Sequence, residues 1–323
     1  MEQLPRAGFE VELLAPRGSS RLDLARELAA RAGGGVQRVF HVDTEGSAVP
    51  GVRAFWNLTP GFEVRGGSGE LVCTLVDDST IVDDLDATAA PRPGWYRVVS
   101  DDARLLRLVQ RHADPAEGIG SVLDGAAALF GTRVRRVGDV HRLDDAAGAS
   151  VAMAAPLPGE RERPCEVITP PLVADHAAAL EALLAPARAA GFTVPAEAAV
   201  HVHLDAAPFR DVAAFRRVVR LFDEHREELR RAFGTNPRCR RLAPLPPDLV
   251  ELARRDWPDW PSLRAAAART AVTKFSDVNL TRVLGVRPGP DTLEVRVLAG
   301  SADGAAIAEA FADLVRLLEF PAG

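Results

Sequence analysis

The sequence predicts an α+β protein built on a sheet with one polar face and one face packed against helices. Three observations carry this. Segments far apart in the chain alternate apolar and charged residues with period two, the strand signature: Phe9-Glu10-Val11-Glu12-Leu13, Val200-His201-Val202-His203-Leu204 and Leu293-Glu294-Val295-Arg296-Val297. Between them lie longer stretches with apolar residues at helical spacing, such as Phe215, Val218, Val219 and Phe222. Glycine and proline clusters separate the two kinds of segment, as in Gly33-Gly34-Gly35 and Pro170-Pro171.

In order, the opening strand puts Phe9, Val11 and Leu13 on one side and Glu10 and Glu12 on the other. Two neighbouring carboxylates repel unless water or a cation lies against them, so the segment alone reads as a wet edge strand or one wall of a metal site. Ser19-Ser20-Arg21-Leu22-Asp23 reads as a helix start with a hydroxyl cap, and the glycine run at 33–35 stops that helix. Over 36–140 the pattern is weaker. Val36–Val42, Glu70–Val76 and Trp95–Val99 read as strands, and 102–112 and 121–130 as short helices. The doublets Asp77-Asp78, Asp83-Asp84 and Asp101-Asp102 suit caps and turns, with Asp78 also a candidate ligand. Arg163-Pro164-Cys165-Glu166-Val167-Ile168-Thr169-Pro170-Pro171-Leu172 reads as a short strand stopped by its double proline; Glu166 is in its middle and Cys165 on the opposite, core side. Helices are expected over 175–190, over 211–233 and, in two pieces broken at Trp257-Pro258-Asp259-Trp260-Pro261, over 248–269. Arg238, Arg240 and Arg241 crowd the loop at 234–247, and a closing helix runs over 303–319.

Composition bounds the function. The 323 residues, 47% hydrophobic and 26% charged, suit a globular protein of one or two domains. A net charge of −6 without a basic stripe argues against a nucleic-acid partner. Lys274 is the only lysine, so no P-loop lysine is available and anion recognition falls to arginine, which grips carboxylate and phosphate through two parallel bonds. The three cysteines, Cys73, Cys165 and Cys239, form no CxxC pair or disulfide framework, and a reducing cytoplasm is the expected compartment. No signal peptide and no run of about 18 apolar residues is read.

Glu-x-Glu, His-x-His and Glu-x-Arg repeat one device on three distant strands, and Glu166 adds a fourth. On one sheet they make a face of carboxylates and imidazoles. Four carboxylates on one surface do not all ionise without cations. Divalent ions balance them and also accompany a nucleoside triphosphate; oxygen-dominated ligation favours Mg2+, with a histidine admitting Mn2+.

With these motifs in view, the chain resembles the amidoligase family, carboxylate–amine ligases that share the glutamine synthetase and glutamate–cysteine ligase fold. The resemblance rests on Gly8-Phe9-Glu10-Val11-Glu12, Glu166-Val167-Ile168-Thr169-Pro170-Pro171-Leu172 and His201-Val202-His203. It continues through Arg238-Cys239, Asn279-Leu280 and Glu294-Val295-Arg296 with Gly300, in the family's order. It covers residues 5–20 and 160–320, while 50–140 depart from the family's usual pattern. The resemblance implies a curved, mainly antiparallel, glutamine synthetase-like sheet. The catalytic domain would comprise 1–50 and 141–323, with an inserted α+β lobe at 51–140. It implies ATP-dependent amide or isopeptide formation through an acyl-phosphate. It also implies metal binding by Glu10, Glu12, Glu166, His203 and Glu294, and nucleotide or substrate contact by His201, His203 and Arg282. Arg296 and Arg238 are then the catalytic candidates, acting on the phosphoryl group or a substrate carboxylate. The expected cofactors are ATP and Mg2+ or Mn2+, and the expected partners are small-molecule or peptide carboxylates and amines. The substrates, catalytic base and oligomeric state stay open. Two other readings remain beside it: a zinc hydrolase using His201 and His203, which leaves Glu-x-Glu and Glu-x-Arg unexplained, and a non-catalytic binding module on a ligase fold.

Overall fold

The structure, a computed structural model, describes residues 4–47, 55–240, 242–287 and 289–318; Arg241 and the first residues of the expected lobe, 51–54, lie outside them. The elements in chain order begin with β1 (Ala7–Leu14), α1 (Arg21–Arg31), β2 (Gly35–Ser47), β3 (Phe55–Arg65), β4 (Leu71–Val76) and β5 (Tyr96–Ser100). Next come α2 (Ala103–His112), α3 (Asp124–Leu129), β6 (Arg135–Val137), β7 (Val140–Asp144), β8 (Ser150–Pro156), β9 (Pro164–Ile168) and α4 (His176–Ala189). Then follow β10 (Ala199–Asp205), α5 (Val212–Glu224), α6 (Arg226–Ala232), α7 (Pro247–Arg254), α8 (Trp260–Ala267), β11 (Val278–Asn279), β12 (Thr292–Ala299) and α9 (Gly304–Leu318). The class is α+β, with antiparallel strand pairing. The chain divides into two compact units, 1–13 with 167–323 and 14–166, so the second unit extends beyond the expected 51–140 on both sides.

In the first unit the strand order is β11-β12-β10-β1, and every neighbour is antiparallel. Alternation decides its two faces. Phe9, Val11, Val200, Val202, Val295 and Val297 are fully buried. Phe9 packs edge-on against Phe311 of α9, ring centroids 5.3 Å apart, and lies 6.0 Å from the His176 ring of α4. The remaining face is polar yet not wet: Glu12, His201, Glu294 and Arg296 are each less than a tenth exposed. The expected helix over 211–233 is broken at His225 (φ −114°, ψ 20°). Beyond the break Arg226 and Arg230, one turn apart, both pair with the buried Asp277, at 2.7 and 2.9 Å.

The second unit holds β4-β3-β5-β8-β7-β6, with β2 paired along β3. Its core lies on one face, where Leu58, Tyr96, Val98, Leu143, Ala152 and Ala154 pack with Leu105, Leu106 and Val109 of α2 and Ala126 and Ala127 of α3. The strand Phe55–Arg65 was not expected, because Pro60-Gly61 in its middle reads as a turn. Asp102 caps α2 by accepting from the Arg104 N–H at 2.8 Å. Ser20 does not cap α1; its hydroxyl donates to Asp23 at 2.8 Å. Arg21 instead enters the core fully buried. Its guanidinium donates to the carbonyls of Pro60, Arg161 and Pro164 at 2.7–3.3 Å and lies 4.6 Å from the Trp95 ring centroid. Asp78 accepts from the Thr80 N–H and hydroxyl, as an acid in a turn does. The Cys73 and Cys165 thiols are free and buried; burial pushes Cys73 up to about 12 and Cys165 higher still, which leaves both as inert packing.

Candidate metal and ligand site

Register assembles the site in the first unit. Directly opposed residues of antiparallel strands project to the same side. Glu10 of β1 stands across from His201 of β10, His203 of β10 across from Glu294 of β12, and Asn279 of β11 across from Glu294. Side chains from four strands therefore enter the same face, with β10 supplying two of them.

The contacts are short. His201 Nδ1 lies 3.0 Å from Glu10 Oε2 and 3.7 Å from Glu294 Oε1, and its Nε2 lies 3.3 Å from Glu12 Oε1. His203 Nε2 lies 2.9 Å from Glu10 Oε1, yet without hydrogen-bond alignment, while its Nδ1 is 3.1 Å from Thr292 Oγ1. Glu12 Oε2 accepts the Ala199 N–H at 2.7 Å. Glu294 receives Arg296 Nη1 at 2.6 Å and Asn279 Nδ2 at 2.7 Å. Asn279 is held in turn by the Thr281 N–H and hydroxyl, which donate to its Oδ1 at 3.0 and 2.6 Å.

These neighbours set the charges. Burial pushes the Glu10 carboxyl up, but His203 and His201 outweigh it and hold the group well below the usual carboxylate range. For Glu294 burial is again opposed, here first by Arg296, and the carboxyl ends lowered. His203 is pushed down by burial and raised further by Glu10 and Glu294, so its imidazolium persists to higher pH than in water. Arg296 is likewise raised, with Glu294 overcoming burial.

Glu10, His203 and Glu294 each offer a ligand atom, all within 4.8 Å of one another. Two carboxylates and an imidazole form a hard donor set with one borderline member, which fits Mg2+ or Mn2+. The buried His203 Nε2 has no aligned hydrogen-bond partner and can offer its lone pair once its proton has left. Of the other expected residues, Glu12 and His201 belong to the same network. Arg282, half-buried beyond β11, acts electrostatically on His203. Glu166 is half-buried on β9 and ends the second unit. Arg238 is exposed on the loop after α6, its N–H donating to Asn236 Oδ1. Asp277, not singled out from the sequence, lies beside the cluster. Its carbonyl receives the Arg296 N–H at 2.9 Å, and its spacing of two from Asn279 was the available signal. Cavities of about 520 and 480 Å³ elsewhere in the chain are lined by other residues.

The fold and this donor set define an α+β protein with a buried carboxylate–imidazole site suited to a divalent cation. A family model described as "putative amidoligase enzyme" matches residues 4–312. The chain belongs to that amidoligase family, which places it among ligases. No curated protein and no solved structure matches the chain. Among the described residues, no helix is long and apolar enough to cross a membrane.

Proposed function

We propose that the protein is an ATP-dependent carboxylate–amine ligase that forms an amide or isopeptide bond. The observation carrying this reading is the convergence of Glu10, His203 and Glu294 within 4.8 Å in a chain of the amidoligase family. In the proposed reaction a substrate carboxylate oxygen takes the γ-phosphoryl group of ATP, and ADP leaves. The amine nitrogen then attacks the acyl carbon, the bond to the phosphate oxygen breaks, and the amine releases its proton, giving the amide and inorganic phosphate. Such chemistry needs charge neutralisation and alignment more than covalent help from the protein.

Mg2+, or Mn2+ in its place, supplies that neutralisation when bound. Glu10, His203 and Glu294 are assigned to hold it, with Glu12 and Glu166 as further metal ligands on the family resemblance. His201, gripped at both ring nitrogens by carboxylates, holds Glu10 and Glu12 in place and is assigned with His203 and Arg282 to the nucleotide. Arg296 is tied to Glu294 through Nη1, but its buried Nε has no hydrogen-bond partner. That N–H is free to meet an oxygen of the transferring phosphoryl group, where a charged donor is worth most. Arg238 is assigned to a phosphate or substrate carboxylate.

The test is ADP release with Mg2+ against a panel of amino acids, peptides and peptidoglycan fragments. Substrate-dependent ADP release is expected from the wild type and not from Glu10→Gln. Wild-type turnover by both Glu10→Gln and Glu294→Gln would sink the assignment.

A further inference from the structure

Among the described residues, α1 packs on β2, β3 and β4, and α2 and α3 pack on one face of the second unit's sheet. On the opposite face a trough of about 480 Å³ runs over β3, β5, β7 and β8. This is within the ~300–1,000 Å³ range of small-molecule sites. Its floor follows from strand alternation: Val99 of β5 is paired with Met153 of β8, and Arg97 with Ala155. Phe55, Val140 and Val151 complete an apolar lining.

Among the described residues that line this trough, Arg97 is the cation. Arg97 rises from the floor with its Nε buried and without a hydrogen-bond partner, and its Nη1 reaches Asn57 Oδ1 only at 3.5 Å. Burial lowers its pKa, and nearby Arg161 adds to this. Asp77, the acid that opposes that shift, is itself paired with Arg161. Arg97 is half-buried, and the unused N–H of its buried Nε is costly unless an acceptor completes it. Asp101 lines the trough four strand positions away, roughly 13 Å along β5, so an anionic group is favoured only at the Arg97 end.

We infer that this trough is a ligand site for a small organic acid with an apolar body, the carboxylate on Arg97 and the body over Val99, Val151 and Met153. The inference is independent of the ligase chemistry, because no residue of the trough belongs to the Glu10–His203–Glu294 site.

The experiment uses the full chain without ATP or metal. The probes are 4-phenylbutyrate and its neutral analogue 4-phenyl-1-butanol, followed by calorimetry and ligand-observed NMR. The acid is expected to bind at least about tenfold more tightly, the value of one charge-assisted fork. Arg97→Met should erase that preference and leave the alcohol's affinity unchanged. Met153 is 39% exposed, so Met153→Glu is expected to fold, and it should weaken the acid about tenfold or more by like-charge repulsion. Equal affinity for acid and alcohol, an acid affinity unchanged in either folded variant, or no binding of either probe up to about 10 mM would overturn the inference. So would a wild-type dimer that Met153→Glu converts to monomer without any probe binding, since the face would then belong to a second copy of the chain.

Discussion

His203 Nε2 lies 2.9 Å from Glu10 Oε1 without the alignment of a hydrogen bond. Each partner holds the other charged: Glu10 raises the imidazole, and the two histidines lower the carboxyl despite burial. The pair is thus an internal ion pair that a divalent cation must break to bind.

Metal affinity should therefore depend on pH with a definite sign. Bound cation requires neutral His203, and the raised pKa means a proton must leave first. Mn2+ affinity is expected to rise about tenfold per pH unit below the His203 pKa and to level off above it. Calorimetric Mn2+ titrations across that range check this, and a flat profile would remove His203 from the ligand set.

The metal-free protein should show the complementary stability profile. The raised His203 contributes stability that is complete below its unfolded pKa of about 6.5 and is lost as pH rises through the folded value. The lowered Glu10 contributes stability complete above about 4.3, lost as pH falls through its folded value. Urea melts should place the pair's contribution highest between those two limits, and the pH dependence should shrink in Glu10→Gln.

Glu10→Gln and Glu294→Gln should both abolish turnover, but they should differ in stability. Glu294 is also the counter-ion of Arg296, which is only 8% exposed. Removing one member of a buried pair costs about 3–5 kcal/mol, so Glu294→Gln should melt lower than Glu10→Gln. Adding Arg296→Met to Glu294→Gln should recover most of that loss without recovering activity. Equal melting of the two single variants would show that the Glu294–Arg296 pair carries no net stability.

Asn279 meets the site through its bond to Glu294, and it is a positioning residue. Asn279→Ala should weaken Mn2+ binding by roughly 10–100-fold, as loss of a group orienting a ligand does. A merely structural role would lower the melting temperature and leave the Mn2+ affinity of the folded protein unchanged.

In the second unit Arg21→Met should destabilise by roughly 3–5 kcal/mol, since it leaves the carbonyls of Pro60, Arg161 and Pro164 without their donor. Burial lowers the Arg21 pKa to about 10, and the guanidinium remains charged at neutral pH. Denaturant unfolding measures the effect; a change below about 1 kcal/mol would mean that water replaces these bonds.

Period-two alternation was enough to place Glu10 with Glu12, His201 with His203 and Glu294 with Arg296 on common strand faces, because side-chain direction along a strand is a local property. Local signals also marked most helices, including the proline break before Trp260. They failed where tertiary pairing outweighed local preference. The strand Phe55–Arg65 carries Pro60-Gly61 but is secured by β2, where Phe40 stands opposite Pro60. The helix expected over 211–233 breaks at His225, beyond which Arg226 and Arg230 meet Asp277. Strand order and register were decided only in three dimensions. A slip of two residues between β1 and β10 would keep every side chain on its own face yet take Glu10 from its place opposite His201, and the period-two pattern does not forbid it. What the sequence determined by itself was which side chains share a strand face. The tertiary pairing of β1, β10 and β12, with Phe9 packed on Phe311 beneath it, brought Glu10, His203 and Glu294 together.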